Sequence, residues 1–398
     1  MPRLPRKVLF DESEPGIYHC VNRCVRRAFL CGTDPSTGEC FEHRKRALQE
    51  RLAFLAGQLG VDILGFAVMS NHTHVVARNR PDVVATRFDA EVARRWWNIF
   101  PPRRTSEGAP AEPRETDLLM ITLNPERLAE IRRRLSNISW FMRCLVEPIA
   151  RQANREDKCS GRFWQGRYFC QKILDDTALA ACLVYVDLNP IRAGICETRA
   201  NSQYTSVYER LMALKARAQE TEGPSDSLPP AVTAIAVNVA AQAESSDDAK
   251  DATGTPAKVM PESGASVVAS CDAWLSPLEL TAAEANDPVP TARASHRGCV
   301  PMAFAEYWQL LDWTGRQYRT DKRGVIPSQL APIFERLSLG GESWFKLIHD
   351  FRRKFRRTAG KPESLTKEAQ KPGGRMPGLN HSRDIFNPES APRRQPPA

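Results

Sequence analysis

Residues 66–78 read FAVMSNHTHVVAR, and the parsing of this stretch decides the fold class. The apolar run VDILGFAV (61–68) has the length and β-branched content of a strand. Met69-Ser70-Asn71 forms a turn, and HTHVVAR (72–78) resumes as a second strand. Side chains alternate along a strand, so His72 and His74 face one way while Thr73 faces the other. Two imidazoles roughly 7 Å apart at their backbones can converge on one divalent ion. The chain has seven histidines, and no other pair lies this close. The pair alone also allows a second reading, in which both rings are core residues with satisfied nitrogens beside Val75 and Val76.

The segments on either side supply the rest of the sheet. GIYHCVN (16–22) alternates after a Pro-Gly break and predicts a strand. FEHRKRALQERLAFLAGQLG (41–60) carries apolar residues at helical spacing and ends on Gly60. A charged, tryptophan-bearing insertion occupies about 80–124. Asn124-Pro125-Glu126 then opens a long helix striped by Leu128, Ile131, Leu135, Ile138, Met142, Leu145 and Ile149, which Pro148 should end or kink. That stripe suits packing on a sheet better than a coiled-coil seam. GRYFCQKIL (166–174) supplies a fourth strand, and DDTALAACLVYVDLN (175–189) a helix stopping before Pro190. The order β-α-β-β-α-β-α predicts an α+β fold, a ferredoxin-like antiparallel sheet with packed helices and one helix added.

A chain of 398 residues is long for one core and suggests more than one folded unit. Its net charge of +9 is unevenly spread. Residues 1–200 hold 31 Lys and Arg against 24 Asp and Glu, residues 201–300 hold 7 against 13, and residues 301–398 hold 18 against 10. The basic parts are rich in arginine, which suits a phosphate-bearing partner. The acidic, Ala/Ser/Pro-rich stretch 216–295 reads as a largely disordered linker, in which a short element at CDAWLSPLELTAAE (271–284) docks and Ser276-Pro277 resembles a helix start. Residues 296–360 predict a small all-helical C-terminal domain. In its last helix Trp344, Ile348, Phe351 and Phe355 line one face, and Arg352, Arg353, Lys354, Arg356 and Arg357 crowd the others. A DNA-binding module and a solvated basic helix over a small core both fit that pattern. Residues 361–398 read as a loose basic tail.

Mean hydropathy is −0.43 and no run approaches the roughly 18–20 apolar residues of a membrane span. The start, MPRLPRKVLFDESEPG, does not read as a signal peptide, so a cytoplasmic location is expected. Eleven cysteines form no C-x-x-C unit, which leaves buried free thiols as the expectation over a zinc framework.

LVYVDLNPIRAG (183–194) adds chemistry to the histidine pair. Tyr185 and Asn189 are four apart, on one face of a helix that must end at Pro190. A tyrosine can act as a nucleophile and form a covalent intermediate. A carboxamide oxygen can complete a metal site that two imidazoles begin. GRFWQGRY (161–168) sets Arg162, Trp164, Arg167 and Tyr168 just before the fourth strand, and arginines among aromatics suit single-stranded nucleic acid. A buried Trp164 beneath surface arginines fits equally well. His19 alternates with Ile17 and Val21 as a core residue would, and Arg192 follows the tyrosine helix as a further phosphate candidate.

Together GIYHCVNR, GFAVMSNHTHVVA, GRFWQGRYFCQKI and YVDLNPIRAGI, in this order over roughly residues 10–210, resemble the REP-associated tyrosine transposases, of the single-tyrosine HUH transposases (insertion-sequence 200-like). The resemblance implies a catalytic unit over 1–215. It implies Mg²⁺ or Mn²⁺ on His72, His74 and Asn189, Tyr185 as nucleophile, and single-stranded DNA hairpins as partner. Cleavage would leave a 5′-phosphotyrosine and a free 3′-OH, in a bacterial, nucleoid-associated setting. Thr73 departs from the bulky middle residue of that motif, and facing away from the site it should matter for packing alone. The insertion and everything after 215 exceed compact members of the family. A non-catalytic DNA-binding descendant and a replication-initiator or relaxase-type nickase are the alternatives, and the oligomeric state stays open.

Overall fold

The computed structural model describes residues 10–25, 31–32, 38–195, 202–221, 271–280, 287–318, 327–371 and 378–387. Four strands form the centre: β1 (Ile17–Arg23), β2 (Val61–Val68), β3 (His72–Asn79) and β4 (Phe169–Ile173). With a two-residue β5 (Thr358–Ala359) they make one sheet in the order β2-β3-β1-β4-β5. The first four pair antiparallel, in the arrangement that a β-α-β-β-α-β chain adopts. The fold class is therefore the expected one, a mixed α+β sheet with packed helices.

Both faces of the sheet are covered, which explains why β2 is buried throughout and, apart from Asp62, apolar rather than alternating. One face carries Tyr18, Cys20, Phe66, Val75 and Ala77 against α1 (His43–Gln58) and α6 (Ile138–Glu156). The other carries Leu64, Ala67 and Val76 against α7 (Asp176–Asp187) and the C-terminal helices. A register shift between Ile63 and Gly65 keeps Phe66 and Val68 on the first face. Gly65 itself lets α7 approach, because a Cβ there would lie 2.7 Å from Leu183 Cδ2. The β2 edge is sealed in two places. Ser276 N–H donates to the Ile63 carbonyl at 2.9 Å, and Val68 N–H to the Tyr204 carbonyl at 3.0 Å.

The insertion folds into α2 (Pro81–Thr86), α3 (Asp89–Ile99) and α4 (Glu115–Thr122). The long helix expected after Asn124 is two helices, α5 (Pro125–Leu135) and α6. Asn137 divides them, its side-chain oxygen accepting from Ser139 N–H at 2.8 Å and Trp140 N–H at 3.1 Å. Pro148 does not end α6. A proline lacks the N–H that would bond the carbonyl four residues back, which here belongs to Cys144, and Arg51 Nε donates to that carbonyl at 3.0 Å instead. After α7 come α8 (Asn189–Arg192) and α9 (Ser206–Thr221).

The helices of 296–360 pack differently from the separate basic unit expected. These are α10 (Phe304–Gln317), α11 (Ala331–Leu337) and α12 (Gly341–Lys354). Trp344, Ile348, Phe351 and Phe355 form one continuous core with Leu179, Leu183 and Val76 of the sheet unit. Two apolar helix faces look alike in sequence whether they cover each other or a sheet. Lys172 N–H donates to the Arg357 carbonyl at 2.7 Å and Leu174 N–H to that of Ala359 at 2.9 Å, joining β5 to β4. Asp175 caps α7 through Ala178 N–H at 3.0 Å and holds Lys361 N–H at 2.6 Å. The stretch expected as a loose tail contains α13 (Pro362–Ala369) and α14 (Leu379–Phe386). Leu365 and Ile385 anchor them in the same core. The docking element arrives as foreseen, with Trp274 and Leu275 buried, but Ser276-Pro277 opens no helix through Leu280 because the chain there runs beside β2. Most of the expected linker, 222–270, and the final residues 388–398 lie outside the described residues.

Two stability predictions follow from this packing. Arg51→Met should cost about 1–3 kcal/mol by orphaning the Cys144 carbonyl. It should cost less in a Pro148→Ala background, where the helix regains its own donor; equal costs in a urea-denaturation cycle would contradict the arrangement. Trp344→Ala should cost roughly 3–5 kcal/mol and lower the unfolding midpoint of the sheet with that of the helices. An unmoved sheet transition would show the two to be independent.

Candidate active site

The face of the sheet beneath α7 and α12 carries rows of side chains set by strand register. Arg23 of β1 is opposite His72 of β3. Val21 is opposite both His74 and Phe169 of β4, and His19 is opposite both Val76 and Gln171. Directly paired residues share a face, so His72, His74, His19, Gln171, Phe169 and Arg23 all point toward α7 and α12. Thr73 is buried on the opposite face, as its position in the strand predicts.

His19 and His74 are fully buried and stacked, with centroids 5.1 Å apart and His19 Nε2 2.8 Å from His74 Nδ1. The direction of that bond follows from its neighbours. Gln171 Nε2 donates to the Phe355 carbonyl, which can only accept, so Gln171 presents Oε1 to His19 Nδ1 at 3.3 Å. His19 Nδ1 must then carry the proton, and neutral His19 accepts at Nε2. His74 therefore donates from Nδ1, and its lone pair sits on Nε2. That atom is buried without a hydrogen-bond partner. An unsatisfied buried polar atom costs about 1–3 kcal/mol, and a metal-binding histidine is typically held in this way through its other nitrogen.

His72 repeats the arrangement nearer the surface. Its Nδ1 lies 2.6 Å from Asn71 Oδ1, an acceptor, which leaves Nε2 as the lone-pair nitrogen. The His72 and His74 rings are 4.9 Å apart between centroids. Burial keeps all three rings neutral. It lowers His19 to about 4 and His72 to about 3, the latter helped by Arg23 and Arg352, and pushes His74 well below the usual histidine range. Neutral imidazole is the form that binds metal.

Tyr185 stands over this group from α7. Its ring lies 5.9 Å from His74 and 6.1 Å from His19, edge-on to both, and 5.8 Å from Phe351 of α12. The Arg192 guanidinium sits between the rings of Tyr185, at 5.1 Å, and Tyr318, at 4.8 Å. Asn189 donates Nδ2 to the Tyr185 carbonyl at 2.9 Å, so its oxygen is the end left to act as a ligand. Between these two, Asp187 is buried and accepts from Tyr307 Oη at 2.6 Å and Ser206 Oγ at 2.7 Å. Burial raises its pKa while these donors oppose the rise. Asp187 thus fixes the end of α7 to α9 and α10.

The structure brings His72, His74 and Tyr185 together and sets Asn189 one turn beyond the tyrosine. Among the described residues no group of three or more His, Cys, Asp and Glu side chains is arranged to hold a metal; the third ligand expected from the sequence is the Asn189 carboxamide. The GRFWQGRY segment lies alongside the end of β1, with Gln165 N–H donating to the Arg23 carbonyl at 2.8 Å. Arg162 and Arg167 are exposed there and Tyr168 is half-buried. Trp164 is not available to stack on a base, because its ring is in the core and its Nε1 donates to the Val146 carbonyl at 2.9 Å. Sequence reasoning missed Gln171, saw Arg352 only as one of several basic residues on its helix, and weighed His19 as a core residue.

No family model matches the chain, and no curated protein matches it. Among solved structures, a REP-associated tyrosine transposase bound to a REP hairpin is similar over 52% of this chain and 84% of its own, with a TM-score of 0.31 and 10% identity. So distant a likeness carries no weight for the chemistry, which stands on the side chains.

Proposed function

We propose that the protein is a DNA strand transferase, a transposase acting on single-stranded DNA that folds into hairpins. Tyr185 is its nucleophile, and His72, His74 and Asn189 hold Mg²⁺ or Mn²⁺. The observation that carries this reading is the lone pair of His74 Nε2, buried and unpaired within ring contact of a tyrosine. The donor set of two neutral imidazoles and one carboxamide oxygen fits a divalent ion of mixed nitrogen and oxygen preference. When bound, such an ion supplies Lewis-acid polarisation of a phosphate oxygen.

The remaining steps belong to the chain's own residues. Tyr185 Oη forms a bond to phosphorus while the bond from phosphorus to the 3′-oxygen breaks. The phenol gives up one proton and the departing 3′-oxygen takes one up. The products are a 5′-phosphotyrosine and a 3′-OH, and attack by a second 3′-OH reverses the step on a new strand. The number of ester bonds is conserved, so no nucleotide cofactor is needed. Arg192 and Phe351 both pack against the tyrosine ring. Arg162, Arg167 and Tyr168 line the chain beside β1, where a strand leaving the site could be gripped.

The protein mixed with Mn²⁺ and hairpin oligonucleotides of varied 5′ flank should form a covalent adduct resistant to denaturing electrophoresis. Tyr185→Phe should abolish it, and an adduct persisting in that variant would remove the role given to the tyrosine. His72→Ala and His74→Ala should each reduce the adduct to background while near-ultraviolet circular dichroism keeps the wild-type shape. The relay is tested separately by calorimetry. Gln171→Leu should weaken Mn²⁺ binding roughly 10- to 100-fold, and unchanged affinity would show that Gln171 does not set the His74 tautomer.

A further inference from the structure

We infer that α12 contributes Arg352 to the same site as a phosphate-holding residue, so that DNA is gripped by the C-terminal region together with the ferredoxin-like half. This rests on the reading of the site as a DNA-processing centre and adds a residue beyond the four that carry it. Three observations support it.

The first is placement. α12 buries Phe351 against Tyr185, and Arg352 is the next residue along the helix. Its guanidinium lies 5.4 Å over the ring of Phe169. Phe169 pairs with Val21, and Val21 with His74, so Arg352 caps the row of the sheet that ends in the buried histidine.

The second is the absence of neutralisation. Several arginines of this chain are tied to acids, Arg44 to Glu156 and Asp157, Arg132 to Asp89 and Arg353 to Asp350, and others such as Arg51 and Arg210 donate to backbone carbonyls. Among the described residues, Arg23, Arg192 and Arg352 form no ion pair with a carboxylate. They come from β1, α8 and α12 and stand about three uncharged imidazoles and a tyrosine. Three unneutralised guanidinium groups about one face of the sheet favour an anion there.

The third is chemistry. A guanidinium donates two parallel N–H groups to one phosphodiester, a geometry an ammonium cannot offer. Arg352 is only partly exposed, so its contacts would be screened less than those of an open surface arginine.

The test uses full-length Tyr185→Phe protein, which binds without reacting, and a hairpin oligonucleotide with a single-stranded 5′ flank. One neutral methylphosphonate is moved along that flank, position by position. Arg352→Ala should weaken binding of the unmodified hairpin roughly 10- to 100-fold, Arg352→Lys should recover part of that loss, and both should unfold at the parent temperature. At one position the methylphosphonate should weaken binding by the parent but add no further loss in Arg352→Ala. The inference is overturned if Arg352→Ala binds within about twofold of the parent, or if every methylphosphonate penalty survives in that variant. The transferase reading fails independently. Protein with Tyr185 intact that forms no adduct, while the Arg352 pattern holds, would leave a phosphate grip without strand transfer.

Discussion

The hydrogen bond between His74 Nδ1 and His19 Nε2 orders everything else at the centre of this protein. Two neutral imidazoles in contact can share their proton in either direction, and in water both directions would be populated. Here neither ring meets solvent, and the direction is imposed from outside the pair. The Phe355 carbonyl orients Gln171, Gln171 orients His19, and His19 orients His74. Reversing any link would move the free lone pair from His74 to another atom. The register of β1 against both β3 and β4 is what puts the three side chains in line. α7 and α12 keep water away from the line by covering that face.

Much of this was legible from residues alone. The hairpin of β2 and β3 follows from an apolar run, a Met-Ser-Asn turn and a second run, and alternation put both histidines of HTH on one side. The four-residue spacing of Tyr185 and Asn189 pointed to their proximity, although α7 ends at Asp187 and Asn189 opens α8 with Pro190 inside it, where the sequence predicts one helix stopping before that proline. What stayed hidden depends on pairings across long separations. His19 meets Gln171 only because β1 lies beside β4, and a buried histidine at a regular strand position looks like core whether or not its nitrogens carry a relay. The break at Asn137 was masked by an apolar stripe that runs straight across it. Pro148 misled for a different reason, since its missing donor is replaced by Arg51 from another helix. Trp164 shows the limit of composition: a tryptophan among arginines suits a nucleic-acid contact, and its indole is instead spent on the Val146 carbonyl.

The C-terminal helices repeat that lesson on a larger scale. Their amphipathic pattern fits a small module of its own, yet their apolar faces complete a core begun by α7. Asp187 and Asp175 are the polar counterparts of that shared core, joining α7 to Tyr307 at one end and to Lys361 at the other. A helix carrying the proposed nucleophile is thus held by groups more than a hundred residues further along the chain, which limits how far Tyr185 can drift relative to the histidines.

The dependence on Phe355 also has a consequence in time. During synthesis a chain grows from its N-terminus at about 5–20 residues per second. The strands that carry His19, His74 and Gln171 therefore exist on the order of ten seconds before the carbonyl that fixes their protons. Throughout that interval the nascent sheet also lacks α12, so the face beneath it is covered only in part, by α7. Such a chain cannot hold the arrangement needed for strand cleavage until it is nearly whole, so prematurely terminated products would carry the tyrosine and both histidines without a set lone pair.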